Sequence, residues 1–270
     1  MTHTLQDLRY ATRALRKSPG FTAIAALTLA LGVGATTAIF SVVNAVMLRP
    51  LPFTEPDRLV RIWESNVERG WPTFAVSHPN FLDWRSQAGS FESLAAINNA
   101  GFTWTTNGEA EIVIGLQVTA TFLPTLKVSP VLGRNFLDEE DRPGGNTRVV
   151  LIGDGFWRRA FGGDPSVVGR AITLNSQPYT VIGVLPASFR WGQNTDMLAP
   201  LAPDPARNRA DHRLSVIGRI KTDATIERAT TELATIAARL SQQFPESNKG
   251  WSIVLNSFYD WLIPETTQLL

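Results

Sequence analysis

A chain of 270 residues with 44% hydrophobic residues and a formal charge of +1 can bury one large core or two modest ones. Its near-neutral balance and the lack of a basic stripe among aromatics exclude a charge-driven nucleic-acid binder. It has no cysteine, which excludes disulfides and thiolate metal sites.

Residues Thr4 to Lys17 place Leu5, Leu8, Ala11 and Leu15 at helical spacing, with Arg9, Arg13, Arg16 and Lys17 on other faces. This predicts an amphipathic helix over 1–18, suited to a membrane interface or a plain helical lead-in. Ser18-Pro19-Gly20 breaks it. The run from Phe21 to Leu48 carries no charge. A membrane-spanning helix needs about 20 mostly apolar residues, so a span over 19–49 is expected. The basic excess on its amino side predicts a cytoplasmic N-terminus and an extracytoplasmic remainder. A cleaved signal peptide is the rival reading. Its apolar core is about 7–15 residues, shorter than this run, which favours an anchor. Within the span Ala26, Ala30, Gly34 and Ala38 recur every fourth residue, a stripe on which another helix could pack.

Beyond a proline-rich exit, Arg58 to Trp63 reads as a strand, Ser77 to Gln87 as a helix capped by Ser77, and Phe91 to Ile97 as a second strand. Phe102 to Thr106 and Glu109 to Val118 flank Asn107-Gly108, a strong hairpin signal. Short elements follow: a helix at Thr121–Leu126, a strand at Arg148–Ile152 and a helix at Gly155–Phe161. Ala171–Leu174 and Tyr179–Leu185 form a second predicted hairpin across Asn175-Ser176-Gln177. Leu214–Ile220 reads as a strand, the segment from Thr225 as an amphipathic helix, and Trp251–Leu255 as a closing strand. The expected class is α+β. A lobe of strand–helix–strand units is split over 57–97 and 211–256, and a β-rich lobe over 98–210 is inserted into it.

No nucleophile–base motif, zinc motif, phosphate loop or dinucleotide fingerprint occurs, so no catalytic, cofactor-binding or metal residue is assigned. Of the three histidines, His78 best fits a helix start. The acidic run Asp138–Asp141 lacks the spacing of a calcium loop and reads as a solvated loop face. Arg158 and Arg159 beside Trp157 read as surface charges. Phe81-x-Asp83-Trp84 and Phe258-x-Asp260-Trp261 repeat as a small motif, and the eight tryptophans read mostly as core.

Several stretches together resemble MacB-type, FtsX-like ABC-transporter permeases, especially the duplicated permeases of acidobacteria. They are DLRYATRALRKSPGFTAIAALTLALGVGATTAIFSVVNAVMLRPLP, SHPNFLDWRSQAGSFESLAA, LGRNFLDEEDRPGG, VVLIGDGFWRRAFGGDPSVVGRAITLNSQPYTVIGVLP and GRIKTDATIERATTELATIAARLSQQFP. The resemblance implies one inner-membrane helix followed by a MacB-like periplasmic core domain over 50–262, with a porter-like lobe and an inserted Sabre-like lobe. It implies no enzyme activity and no cofactor in this chain, since a separate ATPase subunit would bind ATP. Implied partners are the membrane, a second copy or other permease spans, that ATPase and a periplasmic adaptor protein. Residues 263–270 would lead toward a second span that this sequence does not contain. The alternative is a single-span extracytoplasmic binding or sensor protein without transport activity.

Overall fold

A computed structural model describes residues 13, 16–46, 53–189, 191 and 195–258. Most of the predicted amphipathic helix, residues 263–270, and Asp260 and Trp261 lie outside the described residues. The chain forms two compact units, Met1–Pro50 and Leu51–Leu270.

In the first unit, helix α1 runs from Pro19 to Val46. Its 28 residues correspond to about 42 Å, more than a hydrocarbon core of about 30 Å. Pro19 falls in the first turn, where a missing N–H costs little. Hydroxyls of Thr22, Thr28 and Thr36 donate to Ser18 O, Ile24 O and Gly32 O at 3.0, 2.9 and 2.8 Å, so none needs water. The stretch Pro19–Thr37 is long and apolar enough to cross a membrane, and none of it is buried within the protein.

The second unit begins with strands β1 (Leu59–Asn66), β2 (Trp71–Phe74) and β3 (Val76–Ser77), helix α2 (His78–Gln87) and strand β4 (Phe91–Thr106). Strand β5 (Glu109–Val118), helix α3 (Phe122–Leu126), strands β6 (Leu132–Gly133) and β7 (Val149–Ile152), and helix α4 (Asp154–Phe161) follow. The remainder is β8 (Ala171–Leu174), β9 (Gln177–Val184), β10 (Met197–Pro200), β11 (His212–Ile220), α5 (Ile226–Gln243), α6 (Pro245–Asn248) and β12 (Ser252–Ser257).

Strands β12, β1, β11 and β4 lie side by side in that order, every pairing antiparallel. Strands β1 and β4 are therefore parallel with β11 between them, and β11 and β12 are parallel with β1 between them. These are two interlocked split βαβ units, joined through α2 and α5. Both helices start on side-chain caps: Ser77 Oγ accepts from Asn80 N at 3.3 Å, and Thr225 Oγ1 from Arg228 N at 3.2 Å. They cover one sheet face. Phe81 and Trp84 of α2 and Ala229, Leu233, Ile236 and Leu240 of α5 pack on Val60, Ile62, Leu94, Ala96, Val216 and Ile253.

Strand β4 runs unbroken through Asn98, where two separate strands were expected. Its far half pairs with both β5 and β8. From there β5–β10–β7–β9–β8 return to β4 and close a six-stranded ring. Alternate residues fill it: Phe102, Val113, Val150, Ile152, Ile172, Leu174, Val181 and Met197, with Phe156 of α4. Gly115 makes room for Phe102, whose ring would lie 2.5 Å from an added Cβ. Two tight turns set the register. Asn107 and Gly108 have φ of 51° and 84°, Asn175 and Ser176 of 50° and 61°, the twist that two-residue hairpins require. The second hairpin thus turns on two residues rather than three, since Gln177 pairs with Leu174.

A third cluster covers the opposite face. Phe122, Leu123 and Leu126 of α3 pack with Leu59, Ala95, Ile97 and Ile217 of the sheet and with Val118, Val149, Leu151 and Leu198 of the ring. Sheet and ring therefore share one apolar layer.

Candidate functional site

Strand β1 buries Glu64 at 2% exposure, beneath β2. Its carboxylate accepts from Asn80 Nδ2 and from His212 Nδ1, each at 2.5 Å. His212 Nδ1 also lies 3.2 Å from Ala75 O. Both neighbours are acceptors, so Nδ1 carries the proton. Asn80 Oδ1 in turn accepts from Arg209 Nη1 at 2.7 Å and Asn248 Nδ2 at 3.0 Å. Arg209 pairs with Asp83 at 2.7 Å and lies over the Phe244 ring at 3.8 Å. Trp251 stacks on the His212 ring at 4.3 Å, and Phe74 and Trp71 extend the aromatic layer outward. Four segments distant in sequence meet here. Glu64, Asn80, His212 and Asn248 hydrogen-bond to one another at its centre, so the arrangement positions backbone rather than presenting a reactive group.

His78 begins α2, as its sequence context predicts, and is buried. Its Nδ1 accepts from Asp204 N at 3.3 Å, which requires the neutral ring. Burial, with Arg207 and Arg213 nearby, holds its pKa below the ordinary 6.5. The unfolded chain therefore binds this proton first as pH falls. His78 then subtracts nothing above the unfolded value and destabilises the fold progressively below it. We expect unfolding curves between about pH 7.5 and 5.5 to show a smaller acid loss for His78→Asn than for the wild type. Equal losses would contradict this assignment.

Arg219, on β11, is 0% exposed. It donates to Thr125 O at 2.7 Å, Thr54 O at 2.9 Å and Glu55 O at 3.1 Å. The segment that enters the domain is thereby fastened beneath α3. Beside it Phe53 meets Phe258 edge to face, with ring centres 6.0 Å apart. Incoming and outgoing chain are adjacent.

Of the residues expected to form a helix-packing stripe, Ala26, Ala30 and Gly34 are exposed on α1, and an added Cβ at Gly34 meets nothing within 4 Å. Ala38 belongs to the same helix, and its side chain lies outside the described residues. The acidic run is not a solvated face throughout. Glu140 is buried, accepts from Leu137 N at 2.8 Å and pairs with Arg134 at 2.7 Å. Asp141 accepts from Ala120 N and Ala202 N, tying three loops together. Arg158 and Arg159 are surface ion pairs with Asp154 and Glu111. Among the described residues no cluster of three or more His, Asp or Glu could hold a metal. Sequence reasoning missed Glu64, His212 and Arg219. The available signal was a charge inside an otherwise apolar strand. On the ring's outer face Ile112 and Ile114 stand 81% and 59% exposed, opposite Thr103 and Gly101.

A helix long and apolar enough to cross a membrane precedes in sequence a domain in which a split-βαβ sheet is fused to a closed β-ring. Residues 22–236 match the family model of the MacB-like periplasmic core domain, and the chain belongs to that family. The fold is similar to the periplasmic region of MacB from Actinobacillus actinomycetemcomitans, with TM-score 0.56 and 12% identity, covering 78% of this chain and 92% of that one. It is also similar to the extracellular domain of the noncanonic ABC-type transporter YknZ from Gram-positive bacteria, with TM-score 0.51 and 14% identity, covering 73% of this chain and 99% of that one. No curated protein matches the chain.

Proposed function

We propose that this chain is the N-terminal part of a permease subunit of a MacB-like ABC transporter. It would couple a separate ATPase to conformational change outside the cytoplasmic membrane, for export or mechanotransmission. The family match over 22–236 carries this reading. In it α1 crosses the inner membrane with the N-terminus inside, and the second unit lies outside. The split-βαβ sheet serves as the porter-like lobe and the β-ring as the inserted lobe. The Arg219 clamp supports it, because a fastened entry segment passes displacement of the chain into the core. Partners in this reading are a second copy or further spans, packed on the Ala26, Ala30, Gly34 and Ala38 stripe, the ATPase and a periplasmic adaptor protein. The exposed Ile112 and Ile114 favour a protein contact on the ring.

Because the chain lacks cysteine, Asn107→Cys provides a unique label on the hairpin tip. An impermeant maleimide should label it in spheroplasts without lysis, and an ABC ATPase should co-isolate with the tagged chain from solubilised membranes. Labelling only after lysis would overturn the topology. Labelling without any ATPase would favour the single-span binding or sensor reading.

A further inference from the structure

Residues 201–211 are the return path of the chain from the ring, which it leaves at β10, to the sheet, which it rejoins at β11. The middle of this strap, Pro205 to Asn208, is exposed, so polar contacts rather than apolar burial hold that stretch down. Asp141 accepts from Ala202 N at the near end. Arg209 at the far end reaches Asn80 and Asp83 of α2 and covers the Phe244 ring. Between them Asp204 N donates at 3.3 Å to Nδ1 of His78, the first residue of α2. That bond exists only while the imidazole is neutral, because a proton on Nδ1 sets two N–H groups against each other. His78 is 3% exposed, so a charged ring has little access to water while the strap is down.

We propose that residues 201–211 act as an acid-released strap: when His78 takes up a proton, Asp204 N–H loses its acceptor and the strap lifts from α2, freeing one of the ties between ring and sheet. Arg207 of the strap and Arg213 of β11 oppose charging of His78, whereas Asp204 and Asp211 favour it. Asp211 is already paired with Arg213 at 2.8 Å and with Arg207 at 3.6 Å. Burial is the largest influence, and the closed strap holds the pKa below the ordinary 6.5. Lifting the strap hydrates the ring and lets its pKa return upward. The open form then binds the proton more tightly, and falling pH shifts the balance toward it. The other titrating groups along the strap do not act in this sense. Burial raises the pKa of Asp141, so a proton there favours the closed form. His212 already carries Nδ1–H toward Glu64, and a proton added at Nε2 leaves that bond in place. The use of such a device rests on the proposed topology, since a domain outside the cytoplasmic membrane meets the pH of its surroundings.

Amide hydrogen exchange of the purified full chain, corrected for the intrinsic pH dependence of exchange, tests this. Between about pH 7.5 and 5.5 protection over 202–211 should fall about 3–10-fold, within the limit of tenfold per pH unit that one proton can supply, while Val216 to Gly218 in β11 keep theirs. His78→Asn offers an amide oxygen as acceptor and takes no proton, so its strap should stay protected across the range. His78→Ala should leave the strap open throughout. A pH-independent wild type, or a His78→Asn chain that loosens as the wild type does, would overturn the proposal. So would β11 loosening in step with the strap, which marks opening of the whole sheet. Protection kept at Asp204 at pH 5.5 would overturn it as well, by showing that the strap stays docked on the charged ring. Exchange of the purified chain does not depend on which side of the membrane the domain occupies. A failed maleimide test therefore leaves this result standing, and a failed exchange test leaves the topology standing.

Discussion

Replacing Arg219 with alanine is expected to lower the unfolding free energy by about 2–4 kcal/mol, from its lost charge-assisted hydrogen bonds and the packing of its buried stem. The guanidinium is inaccessible to solvent and serves three main-chain carbonyls, of Thr54, Glu55 and Thr125. Its loss leaves Thr125 O buried without this donor, at about 1–3 kcal/mol, whereas the carbonyls of the exposed Thr54 and Glu55 can turn to water. Denaturant unfolding of the purified chain, followed by tryptophan fluorescence, measures the change. Hydrogen exchange should speed up at Arg58, because Arg58 N donates to Glu55 O in the turn that Arg219 fastens. Arg219→Lys should recover only part of the loss, since an ammonium lacks the planar fork that reaches separate carbonyls. A loss below about 1 kcal/mol would mean that water replaces the guanidinium and that the entry segment is held by packing alone.

Glu64→Leu is expected to cost a comparable amount, about 2–4 kcal/mol, for the complementary reason that it leaves buried donors without their acceptor. It removes the acceptor shared by His212 Nδ1–H and Asn80 Nδ2, leaving Asn80 Nδ2 facing an apolar side chain and Nδ1–H with Ala75 O alone at 3.2 Å. The double variant Glu64→Leu, His212→Phe should be more stable than the sum of the two single losses predicts, because it removes donor and acceptor together. A double-mutant cycle on the same unfolding assay reads that coupling. Strict additivity would mean the pair contributes nothing beyond its separate contacts.

The pattern of the chain announces its local elements well. The apolar run, the Ser77 and Thr225 caps and the Asn107-Gly108 turn each carry their own physical signature, and the structure places α1, α2, α5 and the β4–β5 hairpin where those signatures fall. Signals that depend on distant partners were not legible. Strand β10 is four residues buried on both sides and ends on Pro200, with no alternation to mark it. Strand β2 is short, exposed and contains Pro72, which propensity alone reads as loop. The polar centre was hidden for the same reason. Glu64 and His212 are 148 positions apart in sequence and become neighbours because β1 and β11, which carry them, pair antiparallel. The acidic run misled for a related cause. Glu140 and Asp141 look like surface charge until the loops at Ala120 and Ala202 supply the amides that bind Asp141.

The meeting of Phe53 with Phe258 bears on how such a domain can be moved and rewired. Because Phe53 and Phe258 meet at the two ends of the folded body, that body is a portable cassette. It could be grafted into a short turn between two neighbouring helices of an unrelated host with little distortion of either. By the same token, joining those ends directly and opening the Asn107-Gly108 tip would yield a circular permutant with its hydrophobic layers intact.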